Sequence, residues 1–364
     1  MTAPIVEEFN GWLEQLMASG GSDLHVKVGS PPMLRLPEGL HRLDRAPISG
    51  QESQDVADSI IPEDRKQTFQ ENGEVDFAHS VPNVGRFRVN VFRQRGSISM
   101  VLRKLRFGGP SFEELGLPDA VRQIADEHRG LILVTGPTGS GKTTTLSAMI
   151  GHINKTKPVH IVTIEDPIEI LHRDELASIN QREIGTDTND FLVALRAALR
   201  QDPDVILIGE MRDTETVRAA LGAAETGHLV LSTLHTVDAT ETVNRILDFF
   251  PPHQQKQVRL TLASVLRGIV CQRLIQATDG GTAVALEILI NTGRIAERIA
   301  DPDRTQEIKE VMADGGFYGM ETFDQSVLAL LKSGRISVDA ALKTVSNVHD
   351  FELAMQQAGI TVNA

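Results

Sequence analysis

The chain has 364 residues, of which 41% are hydrophobic and 23% charged, and its net charge at pH 7 is −13. A chain of this length is longer than one typical domain, so we predict two globular domains. No apolar run reaches about 18 residues, which argues against a membrane-spanning helix, and the acidic balance disfavours a nucleic-acid partner. The first residues lack the order of a secretory signal, so we expect a cytoplasmic protein. The one cysteine, Cys271, lies in an apolar run and is expected in the core.

The first hundred residues predict a small α+β domain. An amphipathic segment with Phe9, Leu13 and Leu16 at helical spacing predicts a helix. Farther on, GRFRVNVFRQ and SISMVLRK predict two strands, and the first alternates apolar and polar residues. They flank Arg95-Gly96, which is typical of a β-hairpin.

The pattern changes after a stretch rich in glycine and proline. We assign residues 1–105 to the first domain, 106–118 to a linker and 119–364 to a second domain. In the second domain the apolar runs LILVT, HIVTIED, DVILIGE and HLVLSTLHT alternate with helical segments. This alternation predicts a mainly parallel sheet covered on both faces. After Thr236 we expect mostly helices, interrupted by the strand-like run AVALEILI.

One loop matches the phosphate-binding pattern G-x-x-x-x-G-K-[ST] in full. The loop, GPTGSGKT, follows a predicted strand and precedes a predicted helix. Its backbone N–H groups would face phosphates, Lys142 would meet the β- and γ-phosphates, and Thr143 would offer a hydroxyl to Mg²⁺. The predicted nucleotide-binding residues are Gly136, Pro137, Thr138, Gly139, Ser140, Gly141, Lys142, Thr143 and Thr144.

Further polar residues stand at the ends of predicted strands of the same sheet. Glu165 ends HIVTIED and Glu210 ends DVILIGE, so we expect both at the edge where an α/β sheet binds ligands. His235 ends the next strand, where it could hold Glu210 or sense a phosphate. In a common arrangement of P-loop enzymes, the first of two acids at such a strand end orients the Mg²⁺ shell and the second activates water; Gly209 stands at the first position and Glu210 at the second. Which of the two glutamates activates water stays open.

Together, GPTGSGKTTTL, IVTIEDPIE, LRAALRQDPDVILIGEMRD and ETGHLVLSTLHT resemble the Walker A, Asp-box, Walker B and His-box motifs of the secretion and type IV pilus ATPase superfamily. The segments SDLHVKVGSPP, GRFRVNVF, NQREIGTDT, RGIVCQRLI and GMETFDQSVLALL are similar to those of the pilus retraction ATPases, the PilT/PilU family. The resemblance therefore covers nearly the whole chain.

The resemblance implies an α/β fold, with a PAS-like α+β domain followed by a RecA-like P-loop ATPase domain that has a helical C-terminal region. It also implies a homo-hexamer that hydrolyses ATP with Mg²⁺ and drives pilus retraction. In its nucleotide site, Thr143, Glu210 and water would share the metal shell, and Glu165 would lie close enough to polarise the attacking water. In such a ring, arginines of the N-terminal domain complete the nucleotide site. Arg86, Arg88 and Arg103 are the candidates here.

The same resemblance implies partners and a location. These are an inner-membrane pilus platform protein, a paralogous pilus ATPase, and the inner face of the cytoplasmic membrane. Extension and secretion relatives usually carry extra N-terminal domains and a cysteine-rich module, which this chain lacks. One segment departs from the retraction pattern, because RIAERI, Arg294 to Ile299, stands where Ala-Ile-Arg-Asn-Leu-Ile is usual.

Three alternatives remain open at the level of sequence. A related ring motor of secretion or conjugation would share the core motifs. An accessory ring subunit that binds ATP without turnover is disfavoured by the intact Lys142, Thr143, Glu165 and Glu210. A DNA-binding motor is disfavoured by the net charge of −13 and by an aromatic content of only 4%.

Overall fold

The computed structural model describes residues 4–345 and 347–360, which form a mixed α/β protein. The chain divides into two compact units, and the boundary between them falls between Arg106 and Phe107. No helix within the described ranges is both long and apolar enough to cross a membrane.

The first unit is a six-stranded antiparallel sheet with the strand order β3-β2-β1-β6-β5-β4. Its helices and strands, with the short strand that follows, are α1 Pro4–Ala18, β1 Asp23–Lys27, β2 Met33–Leu36, β3 Gly39–Arg42, α2 Gly50–Ile60, α3 Glu63–Asn72, β4 Glu74–Val81, β5 Gly85–Gln94, β6 Ser97–Lys104 and β7 Arg106–Phe107. The predicted helix is present as α1, and its apolar side chains share one core with those of the sheet.

The predicted hairpin is confirmed as β5 and β6. Arg95 and Gly96 connect them with φ values of 50° and 76°, the left-handed pair that a two-residue hairpin turn requires. Phe87 and Val89 of β5 are fully buried, whereas Arg88 between them is exposed. The sequence prediction missed β4, although its alternation of Val75 and Phe77 with polar residues has the same period of two.

The second unit is built on a seven-stranded sheet with the order β11-β9-β12-β13-β8-β14-β15, in which only β15 is antiparallel to its neighbour. The elements up to β13 are α4 Phe112–Leu115, α5 Asp119–Ala125, β8 Gly130–Thr135, α6 Lys142–Thr156, β9 His160–Glu165, β10 Ile170–Leu171, β11 Ser178–Glu183, α7 Phe191–Ala198, β12 Val205–Ile208, α8 Thr214–Glu225 and β13 Leu229–Leu234. The remaining elements are α9 Ala239–Asp248, α10 Pro252–Val265, β14 Leu266–Gln276, β15 Thr282–Ile290, α11 Gly293–Ala300, a 3-10 helix Pro302–Glu307, α12 Ile308–Ala313, a 3-10 helix Gly316–Tyr318, α13 Phe323–Lys332, α14 Val338–Thr344 and α15 Val348–Gln357.

The sheet of the second unit is covered on both faces, as predicted. Successive residues of β8 enter different cores: Leu131 and Leu133 face the core that contains α7, α8 and α9, while Ile132 faces the core that contains α6. All six residues of β8 are buried, which is why its sequence is an uninterrupted apolar run.

Two regions differ from the sequence prediction. The region after Thr236 is mostly helical, as predicted, but it contains a second strand, β14, which extends the parallel sheet beside β8 before β15 folds back on it. The segment 106–118 contains the helix α4, which begins at Ser111 with a capping box. Its Phe112 is only 3% exposed and packs in the α6 core, so this segment is an ordered part of the second unit from Phe107 onward.

Candidate active site

The phosphate-loop sequence connects β8 to α6 and leaves the start of that helix open to an anion. The helix begins at Lys142 and follows Gly141, which has φ 89° and no side chain with which to cap the first N–H groups. Gly136 has φ 142°, and a Cβ there would lie 2.4 Å from the backbone oxygen of Gln272. The backbone N–H groups at the start of α6, which no side chain caps, and the helix dipole together favour the binding of a phosphate.

Lys142 lies folded over this loop. Its Nζ donates to the carbonyl oxygens of Gly136, at 2.8 Å, and Pro137, at 3.0 Å. Burial lowers the pKa of Lys142, and the charge of Glu210 opposes that shift. The ammonium group is therefore held inside the loop, within the field of an acid from another strand.

Four neighbouring strands of the sheet, β9, β12, β13 and β8, end at one cavity of about 530 Å³. Glu165 is the last residue of β9, Glu210 follows β12 by two residues, and His235 directly follows β13. These three side chains line the cavity together with Lys142 and Thr143 of the phosphate loop. The two glutamates and the histidine predicted for the site thus lie at one cavity with most of the phosphate loop, because parallel strands deliver their carboxyl ends to the same edge. Gly136, Pro137 and Ser140 of the predicted loop are not among the residues that line this cavity.

The two glutamates occupy different environments. Thr163 Oγ1 donates to Glu165 Oε1 at 2.5 Å, and Gln181 Nε2 donates to the same oxygen at 3.1 Å. Burial raises the pKa of Glu165 above its usual range, although these two hydrogen bonds oppose the shift. Burial therefore destabilises the ionised form of Glu165, and its two hydrogen bonds fix the position of the carboxyl group.

Glu210 instead lies between the side chains of Arg212 and His235. Arg212 Nη2 is 2.8 Å from its Oε2, and His235 Nε2 is 3.3 Å from its Oε1. Burial alone would raise the pKa of Glu210, but the hydrogen bond and charge of Arg212, aided by His235, outweigh it and lower the pKa. Glu210 is therefore ionised at neutral pH, and His235 is placed to hold it, one of the two roles that the sequence suggests.

The glycine in place of a first acid has a packing reason. A Cβ on Gly209 would lie 3.1 Å from the backbone oxygen of Ile164, on the neighbouring strand. The backbone N–H of Gly209 also donates to that oxygen at 2.8 Å, and its carbonyl accepts from Thr233 Oγ1 at 2.6 Å. The strand end is therefore close-packed at Gly209, and Glu210 is the first residue with room for a carboxylate.

A magnesium ion fits the donors that line the cavity. The Thr143 hydroxyl and the Glu210 carboxylate are hard oxygen ligands of the type that Mg²⁺ prefers. Within residues 4–345 and 347–360, no three His, Cys, Asp or Glu side chains are grouped so as to hold a metal by themselves.

The family model described as Type II/IV secretion system protein matches residues 43–327. This chain belongs to that family.

Within the family, the chain is similar to the type IV pilus ATPases. It is 44% identical over 322 residues to the retraction ATPase PilT of Pseudomonas aeruginosa, covering 88% of this chain and 93% of PilT. It is 39% identical over 350 residues to the type IV pilus ATPase PilU of the same species, covering 96% of this chain and 91% of PilU. A crystal structure of the pilus retraction motor PilT with bound ADP matches with a TM-score of 0.86 at 44% identity, over 96% of this chain and 99% of that one. These values confirm the resemblance to PilT-type secretion ATPases.

The arginines predicted for this secretion ATPase lie in its first unit and not among the residues that line the cavity. Arg88 on β5 and Arg103 on β6 are directly opposite each other, so they share one face of the sheet with Arg86, two residues along β5. The Arg103 side chain is 71% exposed, and its Nε lies 2.8 Å from Asp23 Oδ1. The first unit therefore presents three guanidinium groups on one face.

Sequence reasoning missed several residues that support the site of this secretion ATPase. Arg212 and Gln181 hold the two glutamates, and Gln272 Nε2 donates to the backbone oxygen of Ser140 in the phosphate loop at 2.5 Å. Gln272 is buried on β14, and a lone amide inside the apolar run IVCQRLI was the available signal. A buried amide requires a hydrogen-bond partner, which here is the phosphate loop.

Proposed function

We propose that this protein is an ATP-hydrolysing motor that powers type IV pilus retraction. The observation that carries the proposal is the convergence of the phosphate loop, Glu165, Glu210 and His235 at one cavity from four adjacent strands. The near full-length similarity to the retraction ATPase PilT supports the pilus as the substrate of the motor.

In this proposal the loop and the start of α6 bind the phosphates of ATP. Lys142 exchanges its two carbonyl partners for oxygens of the β- and γ-phosphates, so its charge lies beside the leaving-group oxygen on which negative charge develops. Thr143 and Glu210 hold Mg²⁺, which neutralises charge on the phosphates when bound. Glu165 accepts the proton of the attacking water, because a base works best when its pKa is raised toward the operating pH.

We further propose a homo-hexamer in which the first unit is the PAS-like domain and the second the RecA-like domain. The exposed face with Arg86, Arg88 and Arg103 would then meet the nucleotide of a neighbouring subunit. The ring would act at the inner face of the cytoplasmic membrane on a pilus platform protein, with a paralogous pilus ATPase as a further partner. The net charge of −13 disfavours nucleic acid as its track.

Deletion of the gene in the source organism tests the function. We expect cells that keep surface pili, fail to retract them and lose twitching motility, and we expect the purified protein to hydrolyse ATP as a hexamer. Specific activity should fall when dilution dissociates the ring. Normal retraction in the deletion strain would contradict the proposal and favour a related secretion motor.

Substitution of one arginine tests the shared site. We expect Arg88→Ala to lower ATP turnover by about 10²-fold while nucleotide affinity changes little, because the guanidinium stabilises charge that develops only during phosphoryl transfer. Steady-state hydrolysis and equilibrium binding of a fluorescent nucleotide measure the two quantities. Arg65→Ala on α3 is the matched control, since it removes an arginine elsewhere in the same unit. A loss of nucleotide binding equal to the loss of turnover would contradict this role.

A further inference from the structure

Glu287 is a buried acid outside the four sequence motifs. It lies on β15, at the edge of the sheet, and is only 4% exposed. Its Oε1 accepts a hydrogen bond of 2.8 Å from the backbone N–H of Ala239, the first residue of α9. Ala239 follows His235 by four residues, so this carboxylate anchors the segment that carries the catalytic-site histidine.

That segment is held by hydrogen bonds along its length. Asp238 caps α9 by accepting from the N–H of Glu241 at 2.7 Å, and Glu241 Oε2 accepts from the N–H of Val237 at 2.9 Å. The hydroxyl groups of Thr236 and Thr242 lie 2.6 Å apart. The hydrogen bond between Glu287 and Ala239 connects this locally ordered turn to the sheet of the second unit, which fixes the backbone position of the segment that follows His235.

The same part of β15 also holds α13. Ile288 and Glu321 exchange backbone hydrogen bonds of 2.8 and 3.1 Å, and the N–H of Leu286 donates to Ser326 Oγ at 3.0 Å. Glu287 lies between these two contacts and lines a cavity of about 340 Å³ with Phe323, the first residue of α13. Two helices therefore begin beside one carboxylate, a favourable arrangement because helix N-termini attract negative charge.

The electrostatic surroundings of Glu287 agree with this placement. Burial raises its pKa, while the N–H groups of Ala239 and Phe323 and the charge of Lys309 oppose the shift. A buried carboxylate loses its hydration, so the hydrogen bond from Ala239 at the start of α9 is needed to stabilise the buried Glu287 side chain.

We infer that Glu287 is a positioning residue for ATP hydrolysis: by holding the start of α9 it keeps His235 against Glu210. The inference rests on the proposed ATPase function. The His235 Nε2 to Glu210 Oε1 distance of 3.3 Å is the contact that Glu287 maintains. Loss of the Ala239 bond frees the turn and lengthens that contact without touching the phosphate loop.

A double-mutant cycle tests the inference, with kcat and KM measured for the wild type, Glu287→Ala, His235→Ala and the double variant. We expect Glu287→Ala to lower kcat about tenfold and to change KM by less than about twofold. In the His235→Ala background the same substitution should change kcat by less than about twofold, because Glu287 acts through His235. Equal effects in both backgrounds would overturn the inference, as would an unchanged kcat in the wild-type background.

Two conservative variants decide the matter should Glu287→Ala fail to fold. Glu287→Gln keeps an oxygen that can accept from Ala239, and its kcat should stay within about twofold of wild type. Glu287→Asp keeps the charge but shortens the reach, and it should lose kcat about tenfold. The reverse order of these two variants would show that charge, and not the bond to α9, matters.

Glu321→Ala is the matched control, since it removes another carboxylate beside α13, one that is half-buried, and should leave kcat unchanged. Hydrogen exchange at residues 236–242 should speed up in Glu287→Asp and not in the control. Absence of hydrolysis by the wild-type hexamer would speak against the proposed function itself, whereas active wild type with an unaffected Glu287 series would speak against this inference alone.

Discussion

Lys142→Ala is expected to lower kcat/KM for ATP by about 10³-fold or more, which corresponds to about 4 kcal/mol of lost transition-state stabilisation. The ammonium of Lys142 lies within the phosphate loop, 2.8 Å from the carbonyl oxygen of Gly136, and alanine leaves no charge at that place. Because negative charge develops on the oxygen between the β- and γ-phosphates as that bond breaks, the fold-loss in kcat/KM should exceed the fold-loss in ATP affinity. Steady-state hydrolysis and equilibrium nucleotide binding measure both.

Lys155→Ala is the control for this prediction. Lys155 lies near the C-terminal end of the same helix, α6, and is exposed, so its removal tests the general effect of one lost cation on that helix. Its turnover should match the wild type. Hydrolysis by Lys142→Ala at the rate of the Lys155 variant would show that the loop is not the phosphate site.

Most of the site could be predicted because its signals are local in the sequence. A glycine-rich loop between a strand and a helix specifies its own backbone, since its conformation requires residues without side chains. Each remaining motif is a polar residue at the end of an apolar run, and parallel strands bring such ends to one edge. Glu165, Glu210 and His235 therefore needed no knowledge of strand order to be found.

The strand β14 could not be predicted from its own residues. All but four of its residues are fully buried, so LRGIVCQRLI shows neither the period of a half-buried strand nor that of a surface helix. Its pairing with β8 on one side and β15 on the other decides its conformation, and both partners are distant in the sequence. Cys271 in its centre is buried as expected, and burial raises the pKa of its thiol, which disfavours the thiolate form.

The supporting contacts of the two glutamates are also non-local. Gln181 reaches Glu165 from β11, and nothing in the sequence around either residue reveals that these strands are neighbours. Arg212 is only two residues from Glu210, but its pairing with that carboxylate depends on the backbone conformation after β12, which the local sequence does not specify. These contacts affect the pKa of each glutamate. The sequence alone therefore could not assign the general base to Glu165 or to Glu210.

The contrast between the glutamates predicts different pH profiles for Glu165→Gln and Glu210→Gln. A general base must be ionised, so the rate rises as pH increases through its pKa. Because the pKa of Glu165 is raised, the acid limb of the wild-type profile should lie above the ordinary glutamate range. Because the pKa of Glu210 is lowered, Glu210 remains ionised there and contributes no limb.

We therefore expect Glu165→Gln to lower kcat by about 10³-fold and to abolish the acid limb of the residual activity. Glu210→Gln should also lower kcat, through weaker Mg²⁺ binding, but should retain the acid limb. Excess Mg²⁺ should restore part of the activity of Glu210→Gln and none of that of Glu165→Gln. Loss of the limb in Glu210→Gln alone would assign the base to Glu210 instead.

Glu169→Gln is a control for which the direction of the pH shift can be predicted. Glu169 is exposed at the rim of the same cavity, and its negative charge raises the pKa of Glu165. Its neutral replacement should leave the maximal rate near wild type and move the acid limb to lower pH, since the proton on Glu165 is then held less tightly. Movement of the acid limb to higher pH, or no movement, would mean that the ionisation of Glu165 does not control the limb.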